Sequence, residues 1–301
     1  MKNNFKNIIA FKIKKINEKQ LDQIPSEKSL KSQAKENKGT YIKSLTSFCN
    51  YMDNEDSIYH KIGQTYLFKI RNEKRDVPSS VLNEAVKDKQ KEIEQQRGEK
   101  LKKKEIKSLK EDIMSALLPK AFIKTNYQEF IIDLKHNFIL INEGSLSKAD
   151  DVISMLKSFV DIELEVINPN FDVITKLTEW ANNNDAQEPF DIEDFISLTD
   201  IGTGGITEYK KHSLNDYSKE IKSNIDAGKV VNSLRLNWHE RIAFTLNEKF
   251  IIKQIKTLDS FEENVDETVG MDDDEYTYFN TTISIFVADI CELIEDLIKI
   301  K

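Results

Sequence analysis

The amino-acid sequence predicts an α+β protein with mixed antiparallel sheets, helices and a projecting two-helix finger. Three observations support this class. Several segments alternate apolar and polar residues with the period of a half-buried strand, one long proline-free segment is rich in Lys and Glu, and helix and strand patterns then alternate along the chain. With 301 residues, of which 39% are hydrophobic, the chain can bury a substantial core.

The first third of the chain begins with a predicted strand over residues 5–13, where Ile9, Phe11 and Ile13 alternate with Ala10, Lys12 and Lys14. Residues 17–60 are polar and carry few structural signals. Residues 65–70 predict another strand, and the Pro and Ser residues at 78–80 are typical of a helix start.

Residues 81–118 are predicted to be helical because they contain no proline and show sparse apolar residues at helical spacing. Their central part, residues 90–98, is almost wholly polar and cannot lie deep in a core. Gly98 is the predicted break between two antiparallel helices. The sequence therefore predicts a finger that projects into solvent and ends at Pro119.

The remainder alternates helices and strands. Strands are predicted at 121–134, 138–142, 163–167, 230–238, 241–246 and 250–256, and helices at 173–181, 218–227 and 282–300. A capping-box pattern at 147–150 predicts a further helix start. We interpret the chain as three regions: a basic β-rich region (1–75), the helical finger (76–118) and an α+β region with an acidic C-terminal part (119–301).

The net charge of −8 conceals a strong asymmetry. Residues 1–130 carry 28 Lys/Arg and 18 Asp/Glu, giving +10, whereas residues 131–301 carry 16 and 34, giving −18. Residues 259–275 alone contain nine acidic residues and no basic one, which predicts an exposed loop. The asymmetry favours a basic surface for nucleic acid or an anionic membrane; differing composition of solvated faces is the alternative.

Basic residues concentrate at 97–110, where seven Lys/Arg and two Glu give a local charge of +5. Helical spacing predicts a shared face for Lys100, Lys103, Lys104 and Lys107. Such a row can neutralise phosphates and bind nucleic acid without reading bases; a merely solvated helix is the alternative. A second, weaker patch consists of five N-terminal lysines: Lys2, Lys6, Lys12, Lys14 and Lys15.

The sequence contains no recognised motif for catalysis or metal binding. The four histidines stand at no metal-ligand spacing, and Cys49 and Cys291 form no close pair, so we expect no enzyme activity, cofactor, metal or disulfide. Gly228 is interpreted as a helix C-cap rather than part of a phosphate loop, and residues 202–205 as a turn. Residues 272–275 are more typical of a solvated acidic loop than of a cation site. The absence of a long apolar run predicts a cytoplasmic protein without a membrane partner.

The segment from Glu99 to Phe122 resembles the hallmark stretch of the RdgC family of recombination-associated proteins. Four further matches follow the family's order: residues 5–7, 78–79, 177–180 and 225–238. Residues 31–62 lack the family's Gly-Trp-x-Pro-Pro stretch, and His212 stands where Gln is usual. The resemblance spans nearly the whole chain.

The resemblance implies a ring-shaped homodimer that encircles double-stranded DNA without sequence preference, restrains a RecA-type recombinase and associates with the nucleoid. It places Leu118 and Phe122 in an apolar dimer interface, with an ordinary core aromatic as the alternative for Phe122. Lys211 and His212 would face the DNA channel, and the finger lysines would bind DNA: Lys100, Lys102, Lys103, Lys104 and Lys107. Two alternatives from other classes remain: an acidic module that binds a basic partner or mimics DNA, and a metal-dependent nuclease.

Overall fold

The computed structural model describes residues 4–25, 44–52, 57–211, 213–270 and 273–300. The chain forms two units that are discontinuous in sequence. The larger unit comprises the described residues of Met1–Ile24, His60–Leu67 and Glu129–Lys301, and the smaller comprises those of Pro25–Tyr59 and Phe68–Gln128. The strands and α-helices below confirm the α+β class with antiparallel sheets.

The described strands, in chain order, are β1 (Ile9–Ile16), β2 (Ser44–Cys49), β3 (Tyr59–Ile62), β4 (Thr65–Asp76), β5 (Phe122–Asp133), β6 (Phe138–Ile141), β7 (Ile162–Val166), β8 (Phe190–Asp200), β9 (Ile206–Lys210), β10 (Lys229–Trp238), β11 (Ile242–Asn247) and β12 (Ile252–Thr257). The described α-helices are α1 (Ser79–Arg97), α2 (Lys103–Leu117), α3 (Leu146–Lys157), α4 (Val173–Asn183), α5 (Ser218–Asp226), α6 (Asp259–Thr268) and α7 (Glu275–Lys299).

The larger unit contains two sheets. In the first, β5, β6, β1 and β7 pair in that order with antiparallel neighbours; Ile9 lies opposite Ile141 and Phe11 opposite Val166. The second has the antiparallel order β12-β11-β10-β8-β9. All four residues of β6 are buried, which identifies it as a central strand packed on both faces. Helix α7 buries an apolar stripe at helical spacing, including Ile283, Phe286, Ile290 and Ile294.

In the smaller unit, β2 pairs with β4 in antiparallel register. Strand β4 is also the neighbour of β5, so these strands belong to the sheet that contains β5, β6, β1 and β7. The core of the smaller unit includes Phe48 and Phe68, whose ring centroids lie 6.0 Å apart with an edge-on orientation. Helix α1 buries only Leu82 and Val86 of its residues, and α2 buries none. These two helices are therefore the most polar elements of the smaller unit.

Most predicted elements are confirmed with shifted ends. The predicted helix break at Gly98 is correct, since Gly98 ends α1 with a φ of +74°. Gly228 likewise follows α5 with a φ of +91° and directly precedes β10, as a C-cap glycine does. Residues 202–205 form the turn between β8 and β9. Strands β2, β3, β8 and β9 have no counterpart among the predicted strands.

Two predictions about helix starts and loops are wrong. The capping box expected at 147–150 does not cap a helix, because α3 begins earlier and has Ser145 as its N-cap residue. The acidic segment 259–275 is not a loop, because α6 occupies Asp259–Thr268. Phe261 and Val265 stand four residues apart and are fully buried, so packing of this apolar pair holds the acidic segment in a helix.

Candidate nucleic-acid interface

Gly98 and the four residues after it connect α1 to α2, and the two helices contact each other. The N–H of Gly98 donates to the carbonyl of Glu94 at 2.9 Å, closing the last turn of α1. The Glu94 carboxylate then accepts the backbone N–H of Leu101 at 3.0 Å, and the Glu105 carboxylate accepts that of Lys102 at 2.8 Å. Acidic side chains thus accept two backbone N–H groups immediately before the start of α2.

The same two carboxylates are engaged by side chains of α1. Gln90 donates to Glu94 at 2.9 Å, and the Arg97 guanidinium donates to Glu105 at 2.8 Å. The hydrogen bonds from Gln90 and Leu101 lower the pKa of Glu94 below its ordinary value. Those from the backbone of Lys102 and from Arg97 lower the pKa of Glu105. These hydrogen bonds favour the ionised form of both acids and hold them at the helix connection.

The predicted DNA-binding lysines of this segment are all exposed: Lys100, Lys102, Lys103, Lys104 and Lys107. Among the described residues, no carboxylate lies within 4.0 Å of any of these ammonium groups. The segment therefore presents exposed ammonium groups that form no close ion pair with the described acids, although Glu94 attracts Lys100 and Glu105 attracts Lys102 at longer range. Phosphate oxygens are suitable partners for such groups.

The predicted shared face needs one correction. Lys100 lies in the connection, and Lys102 is the extended N-cap residue of α2, so helical spacing does not apply to Lys100. Because α2 begins at Lys103, its basic row runs through Lys103, Lys107 and Lys110 at intervals of four and three residues. Lys104 lies to one side of that row.

The second predicted patch is largely neutralised by acidic neighbours. The Lys14 ammonium lies 2.5 Å from Glu165 and the Lys15 ammonium 3.6 Å from Asp161. Lys12 donates to the carbonyl of His136 at 3.1 Å and stands 4.0 Å from the centroid of the Phe138 ring. Lys6 is exposed, and Lys2 lies outside the described residues. These lysines are weaker candidates for phosphate contacts than those around α2.

The predicted channel residue Lys211 follows β9 directly and is exposed. Its backbone has a φ of +72°, and its N–H donates to the carbonyl of Asp194 at 3.1 Å. This bond holds an unfavourable left-handed conformation at the end of the β8–β9 hairpin. His212 lies outside the described residues.

The two predicted interface residues, Leu118 and Phe122, flank the turn that joins α2 to β5. Phe122 is 90% exposed, so within the described chain it is not a core aromatic. Leu118 is half-buried. The Arg75 guanidinium donates to the carbonyls of Leu118, Pro119 and Ala121 at 3.4, 3.2 and 3.4 Å and fixes this turn. Ile123 and Tyr127 of β5 are also exposed, at 50% and 56%.

One cluster of chemically active side chains has no counterpart in the sequence-based expectations. Ligand atoms of Asp133, His136 and Cys291 lie within 4.8 Å of one another in the larger unit. The Nδ1 of His136 lies 2.6 Å from the Asp133 carboxylate. Burial raises the pKa of the Cys291 thiol, so the sulfur carries a proton. The three-residue spacing of Asp133 and His136 is visible in the sequence, but the distant Cys291 is not.

No described helix has the length and apolar composition that crossing a membrane would require. Comparison with known proteins gives a consistent picture. Residues 4–300 match a family model described as "Putative exonuclease, RdgC". The chain is 29% identical over 299 residues to the recombination-associated protein RdgC of Proteus mirabilis (strain HI4320), an alignment covering 98% of this chain and 97% of that protein.

Proteins of the same name from two Pseudomonas strains are also similar. The P. entomophila (strain L48) protein is 30% identical, with 80% of this chain and 78% of the relative aligned. The P. fluorescens (strain Pf0-1) protein is 31% identical, with 78% of each chain aligned. Thus the relatives are named for recombination, whereas the family description names an exonuclease. The family model spans nearly every residue, and the chain belongs to the RdgC family.

Proposed function

We propose that this protein binds double-stranded DNA without sequence preference, as a ring-shaped homodimer, and thereby restrains a RecA-type recombinase. The observation that carries the proposal is the set of exposed lysines around the start of α2, which have no carboxylate partner within ion-pair distance among the described residues. Membership in the RdgC family and the names of the relatives support a role in recombination.

Affinity in this proposal comes from phosphate neutralisation. Each lysine that meets a phosphate releases a condensed counterion, so binding is independent of base sequence and falls steeply with salt. Helices α1 and α2 suit this role as a projecting finger, because they bury only Leu82 and Val86 between them. Lys211 contributes a further positive charge on the channel wall in this proposal.

A ring reconciles DNA binding with a net charge of −8. Basic side chains line the channel, and acidic side chains such as those of α6 face outward, where they limit unspecific adhesion. Phe122 and Leu118 close one contact of the ring through apolar packing across a twofold axis. The 90% exposure of Phe122 supports this assignment, since exposed aromatics are frequent interface anchors.

In this proposal the protein restrains recombination by occupying the DNA. A ring on duplex DNA competes with a recombinase filament for the same backbone, and no contact with the recombinase is needed. The protein is thereby held on the nucleoid by DNA itself. Neither catalysis nor a cofactor is part of this proposal.

A gel-shift series on linear and covalently closed circular duplexes of equal length, at several salt concentrations, tests the proposal. We expect binding that falls linearly with salt on logarithmic axes, the same affinity for unrelated sequences, and greater retention on closed circles at high salt. Parallel reactions with Mg²⁺ or Mn²⁺ test the exonuclease description. Absence of salt-sensitive binding, or metal-dependent cleavage of linear duplex, would overturn the proposal.

Helix α6 favours a second candidate, an acidic module that docks a basic partner or mimics DNA. Its buried Phe261 and Val265 leave Glu262, Glu263, Asp266 and Glu267 exposed on the other face. Reversing these four charges to Lys separates the two functions. The DNA-binding proposal predicts equal or tighter duplex binding, whereas the acidic-module function predicts loss of a basic partner.

A further inference from the structure

The structure brings together three residue types that ligate transition metals, two from the β5–β6 hairpin and one from α7. Asp133 ends β5, His136 lies in the turn that follows, and Cys291 lies in the middle of α7. Their ligand atoms all lie within 4.8 Å of one another. A thiolate, an imidazole and a carboxylate together form a donor set that suits Zn²⁺.

The pair in the hairpin is already organised. Oδ2 of Asp133 accepts from the backbone N–H of His136 at 2.8 Å and lies 2.6 Å from its Nδ1. Oδ1 of the same carboxylate accepts the hydroxyl of Thr65 at 2.7 Å. Asp133 is 1% exposed, so these contacts fix its orientation without competition from water. The hydrogen bonds from the His136 backbone and from Thr65 can persist when the carboxylate binds a metal, and such bonds orient metal ligands in known sites.

The charges around the cluster also fit a divalent cation. The Cys291 thiolate and the Asp133 carboxylate carry two negative charges that balance the metal, so the occupied site would be neutral. Lys12, which donates to the carbonyl of His136 at 3.1 Å, is itself balanced by Glu295 at 3.9 Å. A neutral complex avoids the large cost of burying unpaired charge.

We propose that Asp133, His136 and Cys291 form a zinc site that ties α7 to the β5–β6 hairpin of the larger unit. Tetrahedral coordination at about 2.0–2.3 Å places ligand atoms about 3.3–3.8 Å apart, which requires only modest side-chain movement from the present separations. Zn²⁺ takes the place of the thiol proton, which is released to solvent. Water fills the remaining coordination position, and His136, which is partly exposed, provides access.

Cobalt titration of the full-length protein, previously treated with a chelator, tests the site. Co²⁺ bound by a thiolate gives a sulfur-to-metal charge-transfer band in the near ultraviolet, which carboxylate clusters do not produce. We expect this band to saturate at one Co²⁺ per chain and to disappear on addition of one equivalent of Zn²⁺. Metal analysis after gel filtration should likewise find one zinc per chain.

The two cysteines provide a matched pair of variants, because both Cys291 and Cys49 are buried. Cys291→Ser should abolish the charge-transfer band and weaken Zn²⁺ binding more than about 100-fold, whereas Cys49→Ser should leave both unchanged. If Cys291→Ser does not fold, His136→Gln replaces it, since that side chain is partly exposed. Absence of the band, or its survival in Cys291→Ser and His136→Gln, would overturn the site.

Duplex binding is measured on the same samples, so that failure of the zinc site is distinguished from failure of the proposed DNA binding. The zinc proposal depends on residues outside the basic segment and predicts nearly unchanged salt dependence in Cys291→Ser. Weak Co²⁺ binding without the thiolate band would assign the metal to exposed acids and would also overturn the site.

Discussion

The Arg97 guanidinium donates to the Glu105 carboxylate at 2.8 Å and so joins the last residue of α1 to the first turn of α2. This ion pair removes one acid and one base from a segment with a net charge of +5. It leaves that net charge unchanged, and the same carboxylate accepts the backbone N–H of Lys102 at 2.8 Å. The connection that this ion pair holds also carries the exposed side chains of Lys100 and Lys102.

Glu105→Gln should weaken the helix connection in a pH-dependent way. The folded-state pKa of Glu105 lies below its ordinary value of 4.5, because the backbone of Lys102 and Arg97 stabilise the carboxylate. Its contribution to stability is therefore complete above the unfolded-state pKa and is lost as the pH falls through the lowered folded-state pKa. Melting temperatures of the wild type and Glu105→Gln should differ at pH 7, and the difference should shrink as the pH falls below 4.5. A difference that stays constant with pH would contradict this role.

Replacing Lys102, Lys103 and Lys104 together by Ala should weaken binding to unrelated duplexes alike. Each lost phosphate contact should reduce the slope of log affinity against log salt by about one. Fluorescence anisotropy at several salt concentrations measures this slope.

The matched control replaces Lys14, Lys15 and Lys148 by Ala. It changes the net charge equally, but each of these lysines has an acidic partner within 4.0 Å. Its salt slope should stay close to that of the wild type. Equal losses in the two triple variants would attribute binding to net charge rather than to the α2 segment.

Lys211→Glu should weaken duplex binding while leaving the dimer intact. The side chain is exposed, and Glu meets the same left-handed backbone as Lys, so folding should be little affected. Lys157→Glu, an equal charge change at an exposed position near the end of α3, is the control. Sedimentation and anisotropy on both variants decide the matter. Wild-type affinity in Lys211→Glu would exclude this residue from the channel wall.

Phe122→Ala should open the ring without unfolding the chain. Because the side chain is 90% exposed, its removal should change the free energy of unfolding of a single chain by less than about 0.5 kcal/mol. Phe130→Ala on the same strand is the control: that ring is fully buried, and its removal should cost about 3–5 kcal/mol.

Thermal melting and sedimentation distinguish the two Phe variants. Phe122→Ala should remain dimeric through a second interface, adopt a more open shape and be retained less on closed circular DNA. A strongly lowered melting temperature with unaltered shape and retention would show that Phe122 supports folding instead of closing a ring.

The sequence predicted those elements whose burial follows one local pattern. In β1, Ile9, Phe11 and Ile13 are buried while Lys14 is exposed, so the alternation was readable. The helix break could be predicted because Gly98 is a turn-forming residue within a polar stretch of the sequence. Strand β8 was missed, since Asp191, Glu193 and Asp194 obscure its apolar positions and the pairing with β10 decides its structure.

The wrong predictions have physical causes. Residues 259–275 were predicted to be a loop because they contain nine acidic residues, but burial of Phe261 and Val265 makes α6 a helix. The predicted DNA-binding lysines are exposed, but the start of α2 at Lys103 removes Lys100 from the helical face. Cys291 could not be assigned to Asp133 and His136, because their proximity depends on how α7 packs in the larger unit.

The spacing of the basic row on α2 has a consequence for motion along DNA. Lys103, Lys107 and Lys110 are separated along the helix axis by about 6 and 4.5 Å, given a rise of 1.5 Å per residue. Successive phosphates of one DNA strand advance by about 3.4 Å. These intervals are not multiples of that rise, so in the proposed DNA complex the row has no built-in register with the phosphates and the flexible lysine side chains make up the difference. Contacts without a fixed register do not hold the protein at one position on the duplex, which suits binding that is independent of sequence.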